Sequence, residues 1–539
     1  MKFSVPYNQE FIEDIKAIGK AMYTRENKAW LIVVDYTNSH KIDSLIKKFS
    51  LKQFFINYDN LYQPTNETLL ERIKNGLEHK LTNFQSPKQP RHYQIDGIIK
   101  NLYFKKCING SDMGTGKTLT SIFTVELYNL YPCLIIVPNS VKFNWQRQFK
   151  EVSPNKTIQV LDSKSVIEEA DIYIINYDIL SAKKSGKRKI NLRFPELENI
   201  KWKSIICDES HMLKNNTSIR TKAVSKLAKL SEYVFLLTGT PVMNRPIELV
   251  SQLKLIDKFE NLFGSEFEFM YRYCDAKKTE YRTDSSGASN VPQLSKILSQ
   301  TCYYRVGKRE VLTELPPIQE TMFEVELSNL KEYTRAKNDL IVYLQENFGN
   351  IAAAKAEMAQ SLVLINTLRQ LALKGKISAI KDWIDMYLES TDRKLVVFGT
   401  YNDPLDELSR HYQSDLIYGG YNAEERQTIL DWFRFTDQRI LFLNMFAGGT
   451  GIDGLQDVCS DMLILDLPWR STDLDQVVSR IERDGAKYNI NVNYTLAKNT
   501  IDMEMWDYIE SKRKVVDQIN KGETADERNI VIQILKNYL

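Results

Sequence analysis

Residues 111–118 read SDMGTGKT, with Gly110 just before them, and this is where the chain could hold a phosphate. Cys107 and Ile108 run into the stretch as a short apolar strand, and a helical pattern from Lys117 to about Leu130 runs out of it. A loop so placed turns its backbone N–H groups and the open end of the following helix toward an anion. The string differs from G-x-x-x-x-G-K-[ST] in having Ser111 for the first glycine, while Gly114 and Gly116 keep the close backbone approach. Lys117 would reach the β- and γ-phosphates, and the Thr118 hydroxyl would take a place on Mg²⁺. Asp112, Met113 and Thr115 complete the expected cradle. Further on, residues 204–211 read SIICDESH, an apolar strand ending in two adjacent carboxylates. Asp208 would hold a Mg²⁺-bound water, and Glu209 would polarise the water that attacks the γ-phosphate. The chemistry expected is ATP hydrolysis, with ATP and Mg²⁺ as the only cofactors.

The elements that must position these groups alternate. From Arg91 to about Leu255, apolar strands at 133–137, 158–161, 172–175, 205–207 and 234–237 are separated by helical patterns. That rhythm argues for a parallel sheet covered by helices, an α/β fold. Residues 256–375 break it and read as a helical, aromatic-rich insertion and inter-lobe linker. Residues 376–505 restore it, with strands at 395–398, 416–418, 440–443, 462–465 and 492–496, and 506–539 read as a C-terminal helical brace. Ahead of the first α/β region, residues 1–62 look like a small α/β unit, and 63–90, containing QSPKQPRH, like a linker. The fold class expected is therefore two RecA-like lobes with a helical insertion and a small N-terminal α/β domain.

The chain has 539 residues, 43% of them apolar and 26% charged, with a formal net charge of +3. Those proportions are ordinary for a globular protein and neither require nor exclude nucleic acid. No apolar run approaches a membrane span, and MKFSVPYNQEF lacks a signal peptide's apolar region, so no membrane is expected and the chain should be intracellular and soluble, cytoplasmic in a bacterium or phage. Six cysteines lie far apart without a C-x-x-C pair, and five histidines form no H-x-x-x-H spacing, so zinc is not expected.

Taken in order from Arg91 to Lys514, the motifs resemble those of the Swi/Snf-type ATPases of helicase superfamily two. Residues 91–98, RHYQIDGI, resemble that family's adenine-reading segment, which implies ATP contacts from Arg91 and Gln94. The loop is close to the family's D-x-G-x-G-K-T, and DESH is its D-E-A-H form with Ser210 for alanine. Residues 134–149, LIIVPNSVKFNWQRQF, resemble a strand and a DNA-contacting turn, implying DNA-binding roles for Asn139, Ser140, Lys142 and Trp145. LLTGTPVMNRP at 236–246 resembles the block coupling hydrolysis to lobe movement, centred on Thr238, Gly239 and Thr240. CYYRVGKREVLTELPP at 302–317 is similar to the basic segment before lobe two.

FLNMFAGGTGIDGLQ at 442–456 resembles the S-T-x-A-G-G-x-G-I-N-L block. It implies DNA contact from Gly448, Gly449 and Thr450 and coupling through Gly451 and Asp453, although Phe446 and Asp453 depart from the family's basic residue and asparagine. DQVVSRIERDGA at 475–486 matches Q-A-x-D-R-x-H-R-x-G-Q at Gln476, Arg480, Arg483 and Gly485, and departs at Val477, Ser479, Glu482, Asp484 and Ala486. Gln476 joins the coupling set. Arg480 and Arg483, at i and i+3, would share one helix face and aim across the cleft at the γ-phosphate. The basic loop at 181–193, SAKKSGKRKINLR, would attract phosphates without sequence preference.

Phe3, Tyr7, Ile12, Lys16, Tyr23 and Trp30 resemble, more loosely, the HARP module of annealing helicases. The resemblance implies an ATP-dependent translocase on double-stranded or branched DNA, working in branch migration, fork regression or strand annealing. A transcription-associated translocase acting on a polymerase, or an ATP-gated DNA clamp, are the alternatives. Replication, recombination or transcription proteins are the expected partners.

Overall fold

A computed structural model describes residues 2–3, 8–18, 21–24, 29–32, 42, 45–46, 48–49, 67–182, 191–239, 246–278, 283–285, 287–347, 358–448 and 452–519. Its centre is two parallel sheets. Lobe one has seven strands: β1 (Lys106–Asn109), β2 (Cys133–Val137), β3 (Ile158–Val160), β4 (Ile172–Asn176), β5 (Ser204–Cys207), β6 (Tyr233–Leu237) and β7 (Tyr303–Tyr304). They lie in the order β7-β1-β6-β5-β2-β4-β3. Lobe two has six: β8 (Ile318–Val325), β9 (Lys394–Gly399), β10 (Leu416–Ile417), β11 (Ile440–Asn444), β12 (Cys459–Ile464) and β13 (Ile490–Ala497). Their order is β8-β13-β12-β9-β11-β10. Strands such as CLIIV and ILFLN are buried along their whole length, as a parallel sheet covered on both faces requires.

Two boundaries differ from those expected. The linker assigned to 63–90 contains a helix, α1 (Glu67–Thr82), whose Leu77 is buried in a lobe-one core with Ile98 and Phe123. Its spacing is helical but its polar face is long, so its apolar stripe is thin. The insertion assigned to 256–375 is not a separate body. Phe259, Leu298 and Cys302 belong to a lobe-one core, and β7 pairs with β1. Beyond Pro316 and Pro317, β8 pairs with β13 and Tyr333 joins the lobe-two core. The lobes therefore meet at the two prolines. β8 escaped the sequence reading because its residues are mostly exposed at a sheet edge, where apolar alternation fades.

Lobe two is cross-braced by a buried lysine. Lys376 is 0% exposed, and its ammonium donates to the carbonyls of Leu465 and Thr495 and to Asp502, at 2.6–2.8 Å. Lys376→Met should leave Asp502 buried without its counter-charge and cost about 3–5 kcal/mol. A urea-unfolding midpoint for this lobe that does not move would contradict that expectation.

Near the N-terminus, Lys2–Phe3, Ala21–Thr24 and Ala29–Ile32 form a small antiparallel sheet, and Phe11 and Ile15 of the helix Gln9–Ile18 pack with Ile42 and Leu45. Tyr23 lies against Trp30 with ring centroids 5.6 Å apart, while Tyr7 is outside the described residues. Among the described residues, no helix is long and apolar enough to cross a membrane.

Candidate nucleotide site between the lobes

Helix α2 (His92–Phe104) opens lobe one, and β1 leads into the glycine loop, which ends at helix α3 (Lys117–Leu127). Gly114 and Gly116 have φ of +84° and +79°, backbone that only glycine adopts without strain. The first half of the loop is held from behind by the segment after β7. The Arg305 guanidinium donates to Asp112 Oδ1 at 2.7 Å, and the Lys308 N–H donates to Asp112 Oδ2 at 3.0 Å. Val306 N–H donates to Ser111 Oγ, which explains a serine where the motif has glycine. Asp112 therefore pins the loop, a role its place in the motif did not reveal.

Lys117 donates to the Ser111 and Asp112 carbonyls at 2.7 and 3.0 Å, folding over the cradle that its own loop makes. Burial holds its ammonium below the usual lysine range, opposed by Glu209, Asp208 and Asp112. β5 delivers the carboxylates. Burial, and after it the Glu209 charge, pushes the Asp208 carboxyl up. Burial acts the same way on Glu209, but His211, Lys117 and Arg480 outweigh it and hold Glu209 below the usual carboxylate range. Glu209 Oε2 lies 3.3 Å from His211 Nδ1. Glu209 lines the same cavity as the lysine.

That cavity is about 340 Å³ and lies between the lobes. Lys117, Thr118, Asp208 and Glu209 line it from lobe one, and Asp453, Arg480 and Arg483 from lobe two. The arginines are not on a helix, as their spacing suggested. The helix Ser471–Val478 stops two residues short of Arg480, and Ser479 Oγ donates to the Gln476 carbonyl as the chain turns away. Gly485, at φ +94°, completes the turn. Arg480 donates to the Ile452 carbonyl at 2.9 Å, and burial, then Arg483, pushes its guanidinium down to about 9. Arg483 donates to Asp453 Oδ1 at 2.8 Å. Asp453, where the family pattern has asparagine, is thus the counter-charge of an arginine, and Arg483 and Arg147 hold its pKa down against burial.

Closure of the lobes is tied by further charges. Glu482 takes Lys308 at 2.6 Å and Arg309 at 3.0 Å, and Arg91 donates to Asp484. Glu482 and Asp484, both departures from the family pattern, serve these ties.

The remaining expected residues fall into three groups. Gln94 is buried; its side-chain oxygen accepts from Arg91 N–H at 2.9 Å, and its amide lies against Gly116, so its polar groups close the loop's flank. Met113 lines the cavity and packs on Gly239, while Thr115 bonds back to the Asp112 carbonyl. Thr238 N–H donates to the Asn109 carbonyl, placing Gly239 beside Lys117, and Gln476 is half-buried on its helix. Thr240, Gly449, Thr450 and Gly451 lie outside the described residues, as does 183–190 of the basic loop, and Gly448 ends the short helix Met445–Gly448.

The DNA-facing assignments need correction at two positions. Trp145, on helix α4 (Lys142–Val152), is 1% exposed, and its indole N–H donates to Asp208 Oδ2 at 2.8 Å. Trp145, Phe149 and Val152 recur at i, i+4 and i+7 and form the helix's inward face. Lys142 is likewise buried, which lowers its pKa, with Nζ 3.4 Å from the Leu161 carbonyl. Asn139 stays exposed and accepts from Asn176, and Ser140 is half-buried.

A phosphate cradle closed by a lysine, two carboxylates at a strand end and two arginines from a second parallel-sheet lobe define a two-lobed P-loop ATPase. The chain belongs to the SNF2-related family: its residues 22–374 match the SNF2-related domain, and 375–485 match the helicase conserved C-terminal domain. It is 30% identical over 97% of its length to the SWI/SNF-related matrix-associated actin-dependent regulator of chromatin subfamily A-like protein 1 of Xenopus laevis, covering 54% of that protein. It is 28% identical over 87% of its length to the human DNA annealing helicase and endonuclease ZRANB3, covering 43% of it. The chain thus spans about half the length of the curated relatives it matches. Among solved structures it is similar to the Sulfolobus solfataricus SWI2/SNF2 ATPase core in complex with dsDNA, at 23% identity and a TM-score of 0.39, covering 81% of this chain and 94% of that one.

Proposed function

We propose that the protein is an ATP-driven translocase on double-stranded DNA that remodels branched DNA by branch migration, fork regression or strand annealing. The supporting observation is the shared cavity, which neither lobe completes alone. Lys117 and the loop N–H groups hold the triphosphate. Thr118 and Asp208 would hold a Mg²⁺ brought with the nucleotide, which would supply charge neutralisation at the phosphate oxygens. The Glu209 carboxylate takes a proton from the attacking water as the water oxygen bonds to the γ-phosphorus and the bond to the ADP oxygen breaks, releasing ADP and phosphate. Arg480, and Arg483 oriented by Asp453, stabilise the charge that builds on the transferred group. Because the site is made of two lobes, nucleotide binding favours closure and hydrolysis with product release favours opening. Repeated cycles then move the lobes along a DNA backbone, with Asn139 and Ser140 suited to phosphate contact.

The annealing-helicase name of the human relative and the N-terminal module support branched DNA as the substrate. ATPase rates on duplex, single-stranded, forked and four-way DNA test this, with strongest stimulation expected from branched forms. Equal rates on all four would remove the branched-DNA assignment. Lys117→Ala is expected to lower the stimulated rate by at least about 10²-fold, the size of losing one charge-stabilising donor. Normal turnover in that variant would remove the site assignment itself.

A further inference from the structure

Helix α4 touches both halves of the cavity. On its inward face, the Trp145 indole N–H donates to Asp208 Oδ2 at 2.8 Å, while Asp208 Oδ1 accepts from the Glu209 N–H at 2.9 Å. Tyr177 Oη donates to the Asp208 backbone carbonyl at 2.6 Å, fixing the strand end as well. Two residues along from Trp145, Arg147 turns toward lobe two. Its guanidinium is braced by Asn144 Oδ1 at 2.8 Å and lies 3.6 Å from Asp453 Oδ2, and the other oxygen of Asp453 holds Arg483 at 2.8 Å.

We propose that α4 is a positioning element for hydrolysis: Trp145 sets the Asp208 carboxylate, and Arg147, acting through Asp453, sets the Arg483 guanidinium. The proposal rests on the roles given above to Asp208 and Arg483. An indole is a donor only, so it pins one carboxylate oxygen and leaves the remaining lone pairs for a ligand in the cavity. Filling the space under α4 would take any large aromatic; an N–H aimed at the carboxylate is more than packing needs. Arg147 is exposed, and it reaches across the cleft to Asp453 of lobe two. One helix thereby carries the orientation of a lobe-one carboxylate and a lobe-two arginine in a common frame.

The test separates this from a packing role. Trp145→Phe, and site-specific replacement of Trp145 by benzothienylalanine (sulfur for the N–H in the same ring shape), are compared with wild type. The readouts are kcat, KM for ATP, binding of a non-hydrolysable ATP analogue and Tm. Expected is a fall in kcat of about 10–100-fold, the range for groups that orient a ligating residue, with KM, analogue affinity and Tm unchanged. Should Trp145→Phe fold poorly, the isosteric residue decides. Arg147→Met should lower kcat in the wild-type background and add nothing in an Asp453→Ala background, because it acts through that carboxylate. A full kcat in the benzothienyl variant, a loss matched by falling Tm and analogue affinity, or additive Arg147 and Asp453 effects would each overturn the proposal. Lys117→Ala, measured alongside, distinguishes its failure from that of the site reading: turnover surviving there sinks both, and turnover lost there but kept in the Trp145 variants sinks the positioning role alone.

Discussion

Arg480→Ala is expected to bind ATP as wild type does and to hydrolyse it about 10³–10⁵-fold more slowly, the contribution of an arginine supplied to the γ-phosphate from outside the P-loop. The guanidinium lies in the inter-lobe cavity near Glu209 and Asp208, where burial already pushes it down to about 9. Burial disfavours the charge on this cation before the reaction, so negative charge developing on the phosphoryl oxygens within its reach is strongly stabilised. The substitution also removes the bond to the Ile452 carbonyl, a local contact within lobe two that leaves the cradle in lobe one untouched. Single-turnover hydrolysis and equilibrium binding of a fluorescent ATP analogue measure the two halves of the expectation. An unchanged hydrolysis rate would remove Arg480 from the chemistry and leave Arg483 as the sole trans-lobe group.

Glu209→Gln should cost about 10²–10⁴ in turnover, the usual contribution of a general base, with ATP affinity kept or raised. Its carboxylate is held ionised by His211, Lys117 and Arg480 despite burial, so the basic form is ready near neutral pH. Glu209 also has φ +48°, a left-handed conformation that glutamine tolerates no better and no worse, so the exchange isolates the charge from the backbone. Turnover at the wild-type rate in this variant would transfer the role of base to another group in the cavity.

Much of this was legible in the chain because phosphate chemistry and parallel sheets both leave local marks. Gly114, Gly116, Lys117 and the Asp208–Glu209 pair sit where their spacing predicted, since a strand–loop–helix unit is specified by neighbouring residues. Apolar runs marked eleven of the thirteen strands of the two sheets for the same reason, β7 and β8 being the exceptions. What escaped was set by contacts distant in sequence. Gly110 is needed because Tyr303 crosses it, with a Cβ falling 2.2 Å from the phenol oxygen, and that closeness exists only after β7 pairs with β1. Asp112 reads as part of the cradle, and Glu482 and Asp484 as departures from the family pattern; their partners Arg305, Lys308 and Arg91 stand 193, 174 and 393 residues away in the chain. Trp145 had a surface assignment by its neighbours in the motif, while its helical period with Phe149 and Val152 already pointed inward. That period makes its burial legible in the sequence; its bond to Asp208 leaves no such mark.

The central claim is that the two lobes complete one triphosphate site. A structure of the protein with duplex DNA and ADP plus a γ-phosphate transition-state mimic tests it most directly. The account places the mimic on Lys117, with Arg480 and Arg483 within hydrogen-bonding reach, about 2.7–3.2 Å. A mimic bound on the lysine loop with both guanidinium groups beyond that reach would contradict it.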